Sequence, residues 1–431
     1  MNLFDILKAR AGVPVHDPMA VLFARSLSPQ PSVQHFGMKW AKNNPDPAAR
    51  CTYFGDCAGF TPAQCQSDGS VNLGSWAAAN AFFLVNNYPA MIKPDGTIDY
   101  LLDPDDHAKK LDGTASNVDN HATDNAMSVF DCHIWIKMYE DTDYQYIEVA
   151  NEQLDEGYVD FPYLRADGTR RDRLYYPMYE GTVVNGKLRS LASGTPTGNL
   201  TTAEMVTYAN ANDGMGSSSI WSIGDWSHHL WITLLSMLIG KTTCVEHALG
   251  EGNTNGSGMC TNGACIDKGA FWGKPRSSTD AENNQPVKLF YIENPYANAW
   301  KQILGFYRVG GYHIGENANA YVKMTPPYTI DGFSLTGYSN AGTMPVMQDT
   351  LTHVSLSSCG FIPSTLGNQS ADSYFGAKNY IYGNDPYVRY ALLCVGGAHT
   401  FGKSCGFWCF DLEDTPVRTY AFMIGSLYLY N

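Results

Sequence analysis

Tyr380-Ile381-Tyr382-Gly383-Asn384-Asp385-Pro386-Tyr387-Val388-Arg389-Tyr390 opens the stretch whose reading decides the fold. An apolar run at 391–397 follows and ends in Gly396-Gly397. A second apolar run, 405–412, comes after Gly402 and carries Gly406, and Ile424-Gly425-Ser426-Leu427-Tyr428-Leu429-Tyr430 reads as a closing strand. Between the glycine and apolar positions stand Tyr387, Arg389, His399, Phe401, Lys403 and Arg418, side chains of every chemical kind. Such a mixture predicts a rigid frame that displays a binding surface.

Two upstream stretches carry further signals. Phe290-Tyr291-Ile292-Glu293-Asn294-Pro295-Tyr296-Ala297-Asn298-Ala299-Trp300 has the form Glu-Asn-x-x-x-Asn-x-Trp, and His35-Phe36-Gly37-Met38-Lys39-Trp40 stands near the start. With the C-terminal pattern Gly396-Gly397, Gly402, Cys405-Gly406, Leu412 and Ile424-Gly425-x-Leu427, the chain resembles the C-type-lectin-fold domains that end many phage tail and receptor-binding proteins. That group includes the major tropism determinants and other variable proteins of diversity-generating retroelements, and is distantly similar to formylglycine-generating enzymes.

The resemblance implies an α+β fold: a β-rich N-terminal and middle region followed by a C-type-lectin-like domain. It implies a ligand surface made by Tyr380, Tyr382, Asp385, Tyr387 and Arg389 on the approach to the strand, and by His399, Phe401, Lys403 and Phe407 after the Gly396-Gly397 turn. Aromatic and Arg side chains dominate binding hot spots, which suits that set. Asn298 and Trp300 are assigned to the scaffold below the surface, where a buried Asn and Trp need hydrogen-bond partners. The implied protein is a phage tail component in the virion, assembled in the bacterial cytoplasm, trimeric, joined to other tail proteins and binding a host-cell receptor, protein or glycan. It acts without catalytic residues, metal or cofactor.

Composition narrows the field. The chain has 431 residues, enough for two or three domains. With 28 Lys+Arg against 42 Asp+Glu and a net charge of −14, it has no basic surplus for binding a phosphate backbone. Only 16% of residues are charged, 13% are aromatic and 41 are Gly, as expected of a strand- and loop-rich protein. The 27 tyrosines suit recognition surfaces and strands alike. Met1-Asn2-Leu3-Phe4-Asp5 lacks the basic and apolar regions of a signal peptide, and the longest apolar run, 230–240, is too short to span a bilayer, so neither secretion nor membrane insertion is expected. None of the 11 cysteines forms a Cys-x-x-Cys pair, and the expectation is reduced, mostly buried thiols rather than zinc ligands.

Along the chain, 1–30 holds two short amphipathic patterns around Leu3, Ile6 and Leu7 and around Met19, Leu22 and Phe23, read as an attachment or oligomerisation segment. Residues 31–170 form a β-rich middle domain. Its clearest hairpin runs from Phe130 to Val149, with Cys132, Ile134, Ile136 and Met138 on one face and His133, Trp135, Lys137 and Tyr139 on the other. The lectin-like domain is placed at 171–431, opening with a strand over 175–184 that Asn185-Gly186 turns. Thr201-Thr202-Ala203-Glu204 is a capping box for a helix to about Asn210. Asp225 caps a second helix, with Leu230, Leu234, Leu235 and Leu238 on one apolar face and Gly240 at its end.

Other sites fall away on inspection. Gly240-Lys241-Thr242 lacks the upstream glycine of a phosphate loop. The acidic turns at 103–106 and 119–124 lack the spacing of a calcium loop and read as solvated turns. His228 and His229 are adjacent, so on a helix they point apart. Cys260 and Cys265 lie in a glycine-rich loop, but the Arg-Gly-Gly-Ser-Trp segment of the formylglycine-generating enzymes is here Cys394-Val395-Gly396-Gly397-Ala398. The rival readings are therefore an adhesin or lectin of the same fold and, further off, an oxidase of the formylglycine-generating type.

Overall fold

The computed structural model describes residues 32–276, 284–330, 334–381 and 390–431, and it is mostly β. The predicted 1–30 segment lies outside the described residues. Three large sheets wrap one helix, Trp226–Gly240, whose fifteen residues are all buried. A helix that is apolar all round must sit in a core, and this one does. Tyr53 Oη donates to its Leu238 carbonyl at 2.6 Å and Tyr176 Oη to its His228 carbonyl at 3.0 Å. Its Trp226 Nε1 donates to the Cys359 carbonyl at 3.1 Å, and Trp408 Nε1 lies 3.3 Å from its Met237 sulfur. The expected Leu stripe is thus only part of the buried surface. Asp225 caps the N-terminus, accepting the His228 N–H at 2.9 Å, and Lys241 ends the helix at φ 49°.

The first sheet has five antiparallel strands in the order Tyr158–Val159, Trp135–Glu140, Tyr144–Ala150, His35–Ala41, Cys51–Gly55. Its alternation follows the predicted hairpin, with Glu140 opposite Gln145, Ile136 and Ile147 buried, and Trp135, Lys137 and Tyr139 half-buried on the other face. The second sheet runs Trp221–Ile223, Leu427–Leu429, Leu174–Pro177, Asn125–Phe130, Asn87–Ile92, Ile98–Leu101. Helix Thr202–Asn210 packs below it with the predicted capping box formed. The expected boundary at 170/171 runs through this sheet, because Asn125–Phe130 pairs directly with Leu174–Pro177.

The third sheet has nine strands and follows the path Ser339–Pro345, Asn317–Val322, Trp300–Val309, Tyr390–Gly396, Gly406–Asp411, Lys378–Ile381, Met347–Ser357, Gly360–Gly367. Met423–Ile424 adds in parallel beside Trp300. The two ends of the path come together, so the sheet curls almost into a barrel. The closing segment is split rather than one strand: Met423–Ile424 joins this sheet and Leu427–Leu429 the second. The main apolar core extends from Phe36 to Met423 with the central helix inside it, while one face of the second sheet packs in a separate cluster with the helix Thr202–Asn210. Among the described residues no helix is long and apolar enough to cross a membrane.

Candidate functional site

The site is built on the strand Tyr390–Gly396, held between Trp300–Val309 and Gly406–Asp411. Gly396 and Gly397 take φ of 97° and 79°, where other residues are strained. A Cβ at Gly397 would lie 2.5 Å from the Cys405 sulfur, so the turn is forced by close approach as well as by backbone conformation. His399 follows, its N–H donating to the Asn298 carbonyl at 3.1 Å; Phe401 N–H reaches the Ala398 carbonyl at 2.9 Å. Arg276 donates to the Lys403 carbonyl at 2.9 Å and fixes the far side of this loop.

Below lies the Glu-Asn-x-x-x-Asn-x-Trp segment in an unusual backbone. Phe290, Tyr291, Asn294, Ala297 and Asn298 all have φ between 51° and 66°. Non-glycine residues rarely adopt such angles, and they persist where the surroundings dictate them. Here Ser128 Oγ donates to the Phe290 carbonyl at 2.6 Å, Ala297 N–H donates to Gly396 and Asn298 N–H to Asn253. Asn298 Oδ1 accepts from Cys260 N–H at 2.6 Å and Asn253 Nδ2 at 2.7 Å, while its amide donates to Glu180. Glu293 accepts three backbone N–H groups, from Gly263, Ala264 and Cys265, at 2.9 to 3.2 Å. Burial pushes the Glu293 carboxyl up and the Lys288 ammonium down. A cavity of about 30 Å³, lined by Glu180, Asn294, Lys301 and Gln302 among others, has room for a water or two.

Trp300 closes this layer and forms the floor of the next. Phe401 stands edge-on to it with centroids 5.3 Å apart, Tyr380 does the same at 5.9 Å, and Tyr380 and Phe401 meet at 5.3 Å. Tyr380, His399, Phe401 and Lys403 are all half-buried, each keeping part of its surface in solvent. The structure brings Tyr380, Phe401 and His399 into one aromatic group, the last through Phe422 at 6.5 Å.

Phe407 requires a correction. It is 1% exposed, its ring packs on Tyr296 at 4.9 Å, its N–H donates to Glu246 at 3.0 Å, and its carbonyl lies 2.9 Å from His229 Nε2. The strand Gly406–Asp411 has both faces covered, so alternation along it does not set one face outward. Tyr382, Asp385, Tyr387 and Arg389 lie outside the described residues.

Several neighbours were not expected. Phe422 and Tyr420 stack at 5.6 Å and 7°, with Tyr420 and Val417 among the exposed large apolar side chains. Asp411, Glu413 and Asp414 bring three carboxylates to the end of the strand beside Tyr380. Burial, then mutual repulsion, pushes Asp411 up to about 7 and Glu413 up to about 8. The Asp-x-Glu-Asp run directly after an apolar strand was the available signal. Cys260 and Cys265 are unpaired, and burial raises both thiols, Cys260 to about 12. Among the described residues one group has metal-ligand types close together, Asp99, His121 and Asp124, but His121 Nδ1 already accepts two backbone N–H groups and Asp99 pairs with Lys93.

The chain matches no known family profile and no curated protein. Among solved structures it is similar to one titled Major Tropism Determinant U1 Variant, at 12% identity over 80% of this chain and 71% of that chain, with a TM-score of 0.24, too low to carry any argument.

Proposed function

We propose that this chain is a phage or prophage tail protein that recognises a host-cell receptor with the surface around Tyr380 and the Gly396-Gly397 turn, on a C-type-lectin-like domain. The observation that supports it is the half-exposed ring group of Tyr380, Phe401 and Phe422 over the buried Trp300, flanked by His399 and Lys403. Rings fixed on a hydrogen-bonded frame lose little entropy on binding, and aromatic anchors carry most interface energy. The frame below is strained and buried, and Asn298 is hydrogen-bonded on both sides although the buried Trp300 Nε1 has no partner among the described residues, which suits a platform whose outward side chains vary without disturbing the fold. Assembly as a homotrimer with other tail proteins belongs to the same proposal, since avidity lets modest single-site affinity hold a particle on a cell. The proposal assigns no catalytic role; burial raises the Cys260 thiol to about 12, which disfavours the thiolate that thiol chemistry needs.

Labelled full-length protein, applied to a panel of bacterial strains, tests the reading. Binding to a subset of strains that falls at least about tenfold in Phe401→Ala supports it. Turnover of a cysteine-containing peptide in the presence of copper would replace it with the oxidase reading.

A further inference from the structure

The solvent face of the five-stranded sheet carries an ordered array of rings and lysines that the C-terminal reading does not use. Strand pairing sets Lys39 opposite Tyr146 and Tyr146 opposite Tyr139, with Tyr144 two residues along. Tyr139 and Tyr146 stack face to face at 4.4 Å and 6°, and Phe54 meets Tyr146 edge-on at 6.2 Å. The Phe54 ring lies over Gly37, where a Cβ would come within 2.3 Å of it, so glycine is what lets the ring lie flat on the sheet. Tyr146 Oη is fixed by Asp141 at 2.6 Å. Glu148 in the same face accepts from Tyr158 Oη at 2.6 Å and sits 2.7 Å from His35 Nε2. The array is therefore pre-organised, with the Tyr146 and Tyr158 hydroxyls and the Asp141 and Glu148 carboxylates already committed.

The cations differ. Lys137 is paired with Asp155 at 2.7 Å and Lys42 with Glu140 at 3.1 Å. Lys39 sits 4.4 Å over the Tyr144 ring and 5.9 Å from Tyr146, and among the described residues it meets rings and no carboxylate. A protein-binding patch is depleted of lysine at its centre; here lysines lie over the rings themselves. We propose that this face binds an anionic saccharide that packs against Tyr144, whose ring is tilted 58° from that of Tyr146, and whose carboxylate pairs with the Lys39 ammonium beside it. The aromatic ring takes the apolar side of the sugar, and the unmatched ammonium selects the charge. The site is separate from the C-terminal surface and stands or falls without it.

Titration calorimetry of the full chain at low ionic strength tests this with 3′-sialyllactose and tetragalacturonate, against lactose and the methyl ester of tetragalacturonate. At least one acid is expected to bind about tenfold or more tighter than its neutral counterpart. Lys39→Met and Tyr144→Ala are each expected to weaken it by about tenfold with the fold retained by circular dichroism, while Phe401→Ala leaves it alone. No binding of either acid, equal binding of acid and neutral sugar, or undiminished binding in both variants would overturn the proposal. So would loss of self-association in Lys39→Met, which would make the face a contact between copies.

Discussion

The Glu180 carboxylate lies 2.9 Å from the Lys301 ammonium, with the two side chains 1% and 10% exposed. The pair joins the segment between Leu174–Pro177 and Thr182–Val184 to the strand Trp300–Val309, and through Asn298 it reaches the segment under the ring group. Removing one partner leaves an uncompensated buried charge, so Glu180→Gln is expected to cost about 3–5 kcal/mol. Adding Lys301→Met should recover a large part of that loss. Urea unfolding of the single and double variants measures both values.

At Gly397 the turn is set by space and by backbone together. Gly397→Ala should destabilise by about 2 kcal/mol or more, since it adds a strained φ to a clash with Cys405. Combining it with Cys405→Ala removes the sulfur at 2.5 Å but leaves the residue 405 Cβ at 2.9 Å and the backbone strain, so the double variant should recover only a small part. Thermal melting of the three proteins separates the two contributions.

Frame and surface should respond differently to truncation. Phe407→Ala opens a cavity in the core and is expected to cost about 3–5 kcal/mol. Lys403→Ala, at a half-exposed position, should stay within about 0.5 kcal/mol. Denaturant midpoints of the two variants decide whether these neighbouring residues divide as the packing indicates.

The carboxylates near Tyr380 give a pH signature. Asp411 is raised to about 7 and Glu413 to about 8 by burial first, so the folded chain holds protons that the unfolded chain has released. The unfolded state then binds fewer protons, and stability falls as pH rises from about 4 towards about 8. The melting temperature should therefore be higher at about pH 5 than at about pH 8, and Asp411→Asn should flatten that slope and raise stability at the alkaline end.

Much of the local structure was legible because single rules governed it. The hairpin around Glu140 and Gln145 follows strict alternation on a sheet with one wet face, and the Thr201 box and Asn185-Gly186 turn are short-range chemistry. The resemblance placed Phe407 outward, but the strand Gly406–Asp411 is covered on both faces; the helix Trp226–Gly240, expected to have one apolar face, is likewise buried all round. The split of the closing segment depends on distant backbone: a Cβ on Gly181 would lie 2.0 Å from the Gly425 carbonyl oxygen, a contact between residues far apart in the chain. The ring group was half visible. Tyr380, His399, Phe401 and Lys403 were named, but Phe422 and Tyr420 join them through tertiary packing that no local pattern encodes.

Cell binding tests the central claim most directly. Full-length protein carrying His399→Ala, Phe401→Ala and Lys403→Ala together should keep its fold by circular dichroism and lose its binding to strains that take up the unaltered chain by about a hundredfold or more. Retention of full binding in that folded variant would contradict the account.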